Sequence, residues 1–191
     1  MRTFVAIDFS PQIREKIGEI IEYFKTQSPD YALKWVEPQN LHMTIKFLGE
    51  VSEGHLQTIK DLLSDTIKGR SAFEIEVTGM GMYPNAHKPR VIWLGVEGSG
   101  PLKDIHKSLD QALQKASIPP DKRGLSPHLT IARVRRNVET LIVQEIGKTL
   151  SQFKIDSLGK CTIDKIVLYK STLTPGGPIY DPLLSIPLDK V

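Results

Sequence analysis

The run Asn40-Leu41-His42-Met43-Thr44-Ile45-Lys46-Phe47-Leu48-Gly49 alternates polar and apolar side chains over its first half and stops on glycine, the pattern of a half-buried strand. A strand turns successive residues to opposite faces, so His42 and Thr44 share one face while Met43 and Ile45 share the other. Ser126-Pro127-His128-Leu129-Thr130-Ile131-Ala132-Arg133 repeats the arrangement. Positions 42 and 128 stand 86 apart, as do Thr44 and Thr130. The same shift lays Val5 on Val91 and Tyr83 on Tyr169 without a gap, and sets the helix that starts at Pro11 over the one that starts near Pro101. A solenoid unit runs only about 20–50 residues, so a period this long points to one duplicated α+β unit. The chain is expected to be a single bilobal domain over 1–191, built from copies at about 1–85 and 87–171 with a C-terminal strand segment, 172–191. Each lobe should be an antiparallel sheet with helices on its outer side and an active-site cleft between the two, because one lobe alone leaves the open face of its sheet wet.

The elements follow from pattern and punctuation. Phe4 to Phe9 reads as a strand, and Ser10-Pro11 supplies an N-cap and a proline in the first turn of a helix carrying Ile13, Ile17, Ile20, Ile21 and Phe24. Trp35-Val36 is a short strand and Asn40 to Leu48 a longer one. Ser52 opens a second helix with Leu56, Ile59, Leu62, Leu63 and Ile67 on one face, stopped by Gly69. Phe73, Ile75 and Val77 alternate as a strand, Gly79 to Arg90 reads as a loop, and Val91 to Val96 as the next strand. A helix over Leu102 to Ala116 ends at Pro119-Pro120. His128 to Val134, Ile163 to Tyr169 and Ile179 to Leu188 are strands, with a helix from Val138 to Leu150.

Composition narrows the class. Of 191 residues, 40% are hydrophobic and 25% charged, as in ordinary globular proteins. The single cysteine, Cys161, has no internal partner, gives no sign of an oxidising compartment, and reads as a buried structural residue in an alternating run. An acidic residue comes too early for a signal peptide, and no apolar run approaches the roughly 20 residues of a membrane span. A cytoplasmic protein without a membrane partner, and a monomer, is the expectation. A net charge of +3 does not by itself announce a nucleic-acid binder, but Lys122, Arg123, Arg133, Arg135 and Arg136 flank the second motif, with Lys88 and Arg90 in an earlier loop.

Two imidazoles and two hydroxyls facing a common cleft suit hydrolysis of a cyclic phosphodiester. One side of phosphorus needs a base for water, and the opposite side an acid for the leaving ribose oxygen. Histidine, with an ordinary pKa near 6.5, serves either part around neutrality. Threonine hydroxyls can donate to the non-bridging phosphate oxygens. Neither motif carries a second histidine or a carboxylate on its polar face, so a zinc ligand set is missing there and no cofactor is called for. His55, His87 and His106 lack such support and read as solvated side chains. Three other readings share these residues: a phosphodiesterase for a small cyclic nucleotide or sugar phosphate, a non-catalytic RNA-end-binding protein, and a metal-dependent phosphoesterase.

Trp35-Val36-x-Pro38-x-Asn40-Leu41-His42-x-Thr44-Ile45-x-Phe47-Leu48-Gly49 and Ser126-Pro127-His128-Leu129-Thr130-Ile131-Ala132-Arg133 resemble the paired His-x-Thr-x motifs of the 2H phosphoesterase superfamily, in its RNA 2′,3′-cyclic phosphodiesterase branch, long called 2′-5′ RNA ligase. The resemblance extends from Phe4-Val5-Ala6-Ile7-Asp8 to the region of Tyr169 and Tyr180. It implies hydrolysis of RNA 2′,3′-cyclic phosphate ends, tRNA fragments among them, to 2′-phosphomonoesters, with 2′-5′ joining in vitro as a corollary. It implies His42 as proton donor, His128 as proton acceptor, Thr44, Thr130 and Arg133 on the phosphate, and Phe47 near the nucleotide. A symmetric site does not by itself tell acid from base. Arg133 and Phe47 each lie five residues after their histidine, so strict alternation sends them to the opposite face, and a bulge is required to bring them back.

Overall fold

Two antiparallel sheets carry the chain, and their strand orders repeat one another. The computed structural model describes residues 1–190. The first sheet orders β3 (His42–Glu50), β1 (Arg2–Asp8), β8 (Lys165–Thr174) and β9 (Gly177–Pro187). The second orders β2 (Leu33–Trp35), β6 (His128–Val134), β5 (Val91–Glu97), β4 (Phe73–Tyr83) and β7 (Gly159–Ile163). The 86-residue shift carries β1 onto β5, β3 onto β6, and Tyr83 of β4 onto Tyr169 of β8. Yet β4 pairs with β5, and β8 pairs with β1. Each copy gives its last long strand to the sheet begun by the other, so neither sheet is the product of one copy alone.

Two stretches differ from the sequence reading. Gly79 to Arg90 is not all loop: β4 continues to Tyr83, because Gly79, at φ +69°, absorbs a register shift between Thr78 and Met80 and lets the pairing with β5 resume. The single strand expected over Ile163 to Tyr169 is two strands, β7 in the second sheet and β8 in the first. The chain changes sheets at Asp164, an exposed polar residue between two apolar runs.

Four helices cover the sheet faces opposite His42 and His128. α1 (Pro11–Thr26) buries Ile13, Ile17, Ile21 and Phe24, spaced by four, four and three as one helical stripe requires. Its N-cap, Ser10, accepts from the Ile13 N–H at 3.4 Å. α1 touches β7, and Phe24 stacks on Trp35 of β2. α2 (Glu53–Ile67) and α3 (Gly100–Leu113) pack on each other and reach β9 and β3 respectively. α4 (Thr140–Leu150) buries Val143, Ile146 and Leu150. The strand residues beneath, among them Met43, Ile45, Leu129 and Ile131, are buried in one continuous core that Cys161 also joins. Full burial of each such side chain contributes roughly 1.5–3 kcal/mol.

α4 approaches the loop between β4 and β5 so closely that only glycine fits at position 147. A Cβ there would stand 1.8 Å from the Ala86 carbonyl oxygen. In an open helix a Gly→Ala change stabilises by up to about 1 kcal/mol. Here overpacking dominates, and Gly147→Ala is expected to destabilise by about 1–3 kcal/mol. The urea midpoint should fall with an unchanged slope; an equal or higher midpoint would show that the loop simply moves aside.

Candidate active site

β3 and β6 run side by side where the sheets meet, within 8 Å at their Cα atoms. A backbone thread joins them: β2 pairs with β6, the Val36 N–H donates to the Ile131 carbonyl at 2.9 Å, and a single 3-10 turn over Pro38–Asn40 then delivers the chain to His42. The two motif strands are thus held together by six residues of main chain.

Both strands bulge at the same place. On β3 the pairing with β1 runs Asp8↔His42, Ile7↔Met43, Ala6↔Thr44 and then jumps to Val5↔Lys46, so Ile45 is supernumerary. On β6 the pairing with β5 runs Gly95↔His128, Leu94↔Leu129, Trp93↔Thr130 and then Ile92↔Ala132, so Ile131 is. Ile45 and Lys46 are both buried, as are Ile131 and Ala132, and the next residue of each strand is exposed. The extra residue reverses the alternation. It returns Phe47, 65% exposed, to the face of His42 and Thr44, and Arg133 to the face of His128 and Thr130. Phe4, opposite Phe47, confirms the facing: its ring lies 4.8 Å from His42 and 6.1 Å from Phe47, centroid to centroid.

The two imidazoles are held by the same device. His42 Nδ1 lies 2.7 Å from the Asn40 carbonyl, and His128 Nδ1 lies 2.7 Å from the Ser126 carbonyl, two residues upstream in each case. A carbonyl only accepts, so each Nδ1 carries the proton and each Nε2 is left to take or give one. Each ring also meets a tyrosine edge-on: Tyr180 at 4.9 Å and 82° for His42, Tyr83 at 5.2 Å and 81° for His128. Among the described residues, neither Thr44 nor Thr130 spends its hydroxyl on another protein group.

The surroundings of the rings differ. His42 lines a cavity of about 260 Å³ with Asp8, Arg14, Tyr169 and Tyr180. Arg14 Nη2 pairs with Asp8 at 3.2 Å, and its Nη1 donates to the carbonyls of Pro38 and Gln39, bracing the turn that presents the Asn40 carbonyl. The Tyr169 hydroxyl donates to Asp8 at 2.8 Å, and burial together with that bond pushes its pKa up. Burial likewise raises Tyr180, against the opposing charge of Arg133, which reaches it from β6. Burial depresses the pKa of His42, with the Asn40 carbonyl and Asp8 pulling the other way. His128 has Tyr83 and Trp93 about it and hydrogen-bonds at the exposed surface.

Asp8, Arg14, Tyr83 and Trp93 were not singled out as site residues in the sequence. Tyr83 had a signal, its match to Tyr169 under the 86-residue shift, and Tyr180 lay in the region of family resemblance. His106, read as solvated, is buried, and sits on the apolar stripe of α3 because Asp121 takes its Nε2 at 2.9 Å. His106, Asp110 and Asp121 bring ligand atoms within 4.8 Å of one another. The fully buried ammonium of Lys46 lies among them, bonded to Asp110 and to the Pro119 carbonyl. The position a cation would take is filled by the protein's own.

Residues 7–93 and 94–180 each match the family described as LigT-like phosphoesterase. The chain is 37% identical over 182 residues to an RNA 2′,3′-cyclic phosphodiesterase of Methanothermobacter thermautotrophicus, covering 94% of this chain and 95% of that one. It is 37% identical over 183 residues to the protein of the same name from Archaeoglobus fulgidus, covering 96% and 98%. Among solved structures, E. coli LigT complexed with 3′-AMP superposes with a TM-score of 0.76 at 25% identity, over 98% of this chain and 97% of that one.

The depressed His42 pKa sets a pH dependence. Below the ordinary histidine value near 6.5 the unfolded chain takes a proton that the folded chain resists, so this residue lowers stability as pH falls through 6.5 and contributes nothing above it. Imidazole NMR titration of the free protein should place His42 below 6.5, and saturating inorganic phosphate should raise it, since a nearby anion favours the charged ring. A His42 that titrates at or above 6.5 without ligand would contradict its burial.

Proposed function

The chain belongs to the LigT-like phosphoesterase family, and we propose that it hydrolyses RNA 2′,3′-cyclic phosphodiester ends to 2′-phosphomonoesters, with His42 and His128 as the acid–base pair. The observation that carries this reading is the matched anchoring of the imidazoles, each with Nδ1 fixed at 2.7 Å to a carbonyl and, among the described residues, Nε2 without a hydrogen-bond partner. That arrangement fits an in-line displacement, which needs one proton acceptor and one proton donor on opposite sides of phosphorus. The names borne by the relatives support the substrate class.

In this mechanism His128 Nε2 takes a proton from water as the water oxygen bonds to phosphorus. The bond from phosphorus to the 3′ oxygen breaks, and His42 Nε2 protonates that oxygen. Thr44, Thr130 and Arg133 hold the non-bridging oxygens, and Phe47 lies against the terminal nucleotide. Burial biases free His42 toward the neutral form, so its role as acid depends on the bound phosphate anion to restore the proton. The reaction uses no metal or other cofactor. With a ribose 5′ hydroxyl in place of water as the nucleophile, the same displacement breaks the bond from phosphorus to the 3′ oxygen and leaves a 2′-5′ linkage, but water is in vast excess and hydrolysis dominates. Both motif strands belong to the same chain, so the proposed site needs no residue from a second copy, and the protein acts as a monomer in this reading. Cytoplasmic RNA ends, tRNA fragments among them, are the natural substrates in this reading.

A short RNA with a 2′,3′-cyclic end, incubated with and without EDTA, tests it. The product should map as a 2′-phosphate at equal rates in both. His42→Ala and His128→Ala should each lower kcat by about 10²–10⁴ with unchanged circular dichroism. Retained activity in either variant, or a 3′-phosphate product, would overturn the assignment.

A further inference from the structure

A second cavity lies away from the one around His42. A groove of about 440 Å³ opens beside the β2–β6 edge, lined by Tyr31, Lys34, Arg133, Arg135, Arg136 and Val138 among others. We propose that this groove holds the single RNA strand that leads into the terminal cyclic phosphate, so that the protein binds a polynucleotide end and not only its last nucleotide. The inference rests on the phosphodiesterase reading and extends it.

Four cations meet here. Lys34 stands directly across from Arg133 in the β2–β6 pairing, an arrangement of like charges that destabilises a strand pair. Among the described residues no carboxylate forms an ion pair with Lys34, Arg133, Arg135 or Arg136. The formal net charge of the chain is only +3, so these four residues more than account for its excess. Pairing Lys34 against Arg133 beside two further arginines costs the strand pair stability, and a run of phosphates would offset that repulsion. Beside them Tyr31 exposes 64% of its surface, a ring placed where a base can stack.

Arg133 joins the groove to the catalytic face. It lines the groove, follows the bulge of β6 on the side of His128 and Thr130, and is near enough to Tyr180, on His42, for its charge to act there. A strand whose last phosphate lies between the histidines would pass Arg133 and meet Lys34, Arg135 and Arg136 with its preceding phosphates.

The test compares a mononucleoside 2′,3′-cyclic phosphate with a short single-stranded RNA bearing the same end. The variant Lys34→Ala/Arg135→Ala/Arg136→Ala should lower kcat/KM for the RNA at least tenfold relative to the mononucleotide, on the order expected for lost phosphate contacts. Binding of a labelled RNA ending in a 2′-phosphate, titrated at several salt concentrations, should lose about 2 from its log–log salt slope, from ~0.7 per contact. Tyr31→Ala should weaken that binding by about five- to a hundredfold, and Tyr31→Phe should not. Equal losses on both substrates, or no loss on the RNA, would overturn the groove. If the unsubstituted protein hydrolysed neither substrate, the phosphodiesterase reading would fall, and the binding titration would still decide: a salt slope and affinity unchanged in the triple variant sink the proposal, and their loss sustains it.

Discussion

A bulge at the same place in each motif strand, Ile45 on β3 and Ile131 on β6, governs the cleft. Without the bulges at Ile45 and Ile131, strict pleating would put Phe47 and Arg133 on the helix-covered side of their sheets. Arg133 would then be a guanidinium in an apolar core, where a charge without a partner costs several kcal/mol. The bulges let each strand turn three candidate site residues to one face, His42, Thr44 and Phe47 on β3 and His128, Thr130 and Arg133 on β6, while keeping Met43, Ile45, Leu129 and Ile131 in the core. They also sharpen the local twist, which suits strands that must converge on one site from two sheets.

The bulged strands are held by different means. At the place of Ala132 in β6, β3 has Lys46, whose buried ammonium ties the bulge to Asp110 on α3 and to the Pro119 carbonyl. Asp110 also accepts from the Asp121 N–H, and Asp121 binds His106. The segment anchored by this network leads directly toward Ser126 and His128. A polar cluster in one lobe therefore braces the bulge of that lobe and the approach to the histidine of the other. Together with the exchange of β4 and β8 between sheets, it ties the two halves of the cleft into one body.

Much of this was legible in the sequence, and what was not has physical reasons. The shared face of His42 and Thr44 follows from a period of two, and the duplicated unit from the 86-residue shift. The bulges were legible only as a requirement, because Ile45-Lys46 and Ile131-Ala132 carry no glycine or proline to mark them. The exchange of strands was hidden, since pairing partners are a matter of tertiary contact and both copies have the same local pattern. The length of β4 was missed because Gly79, Gly81 and Pro84 punctuate a run that pairing nonetheless sustains. Burial of His106 was missed because its partner, Asp121, lies 15 positions away.

The duplication makes two equal anchors but not two equal environments. Each imidazole is fixed through Nδ1 to a carbonyl two residues upstream and flanked by a tyrosine edge. Beyond that the symmetry ends. The face of Tyr169 in β8 carries its hydroxyl to Asp8, whose own partner, Arg14, braces the turn ahead of His42. Tyr83, its counterpart in β4, instead meets Ser126 at 3.1 Å in an exposed hydrogen bond. The proposed reaction needs a donor and an acceptor of different character, and a perfectly symmetric pair would bind substrate equally well in two opposed orientations. Asp8 and Arg14 on one side, and the open setting of His128 on the other, break that degeneracy. They give the pseudo-symmetric cleft a direction that the repeated motifs alone do not contain.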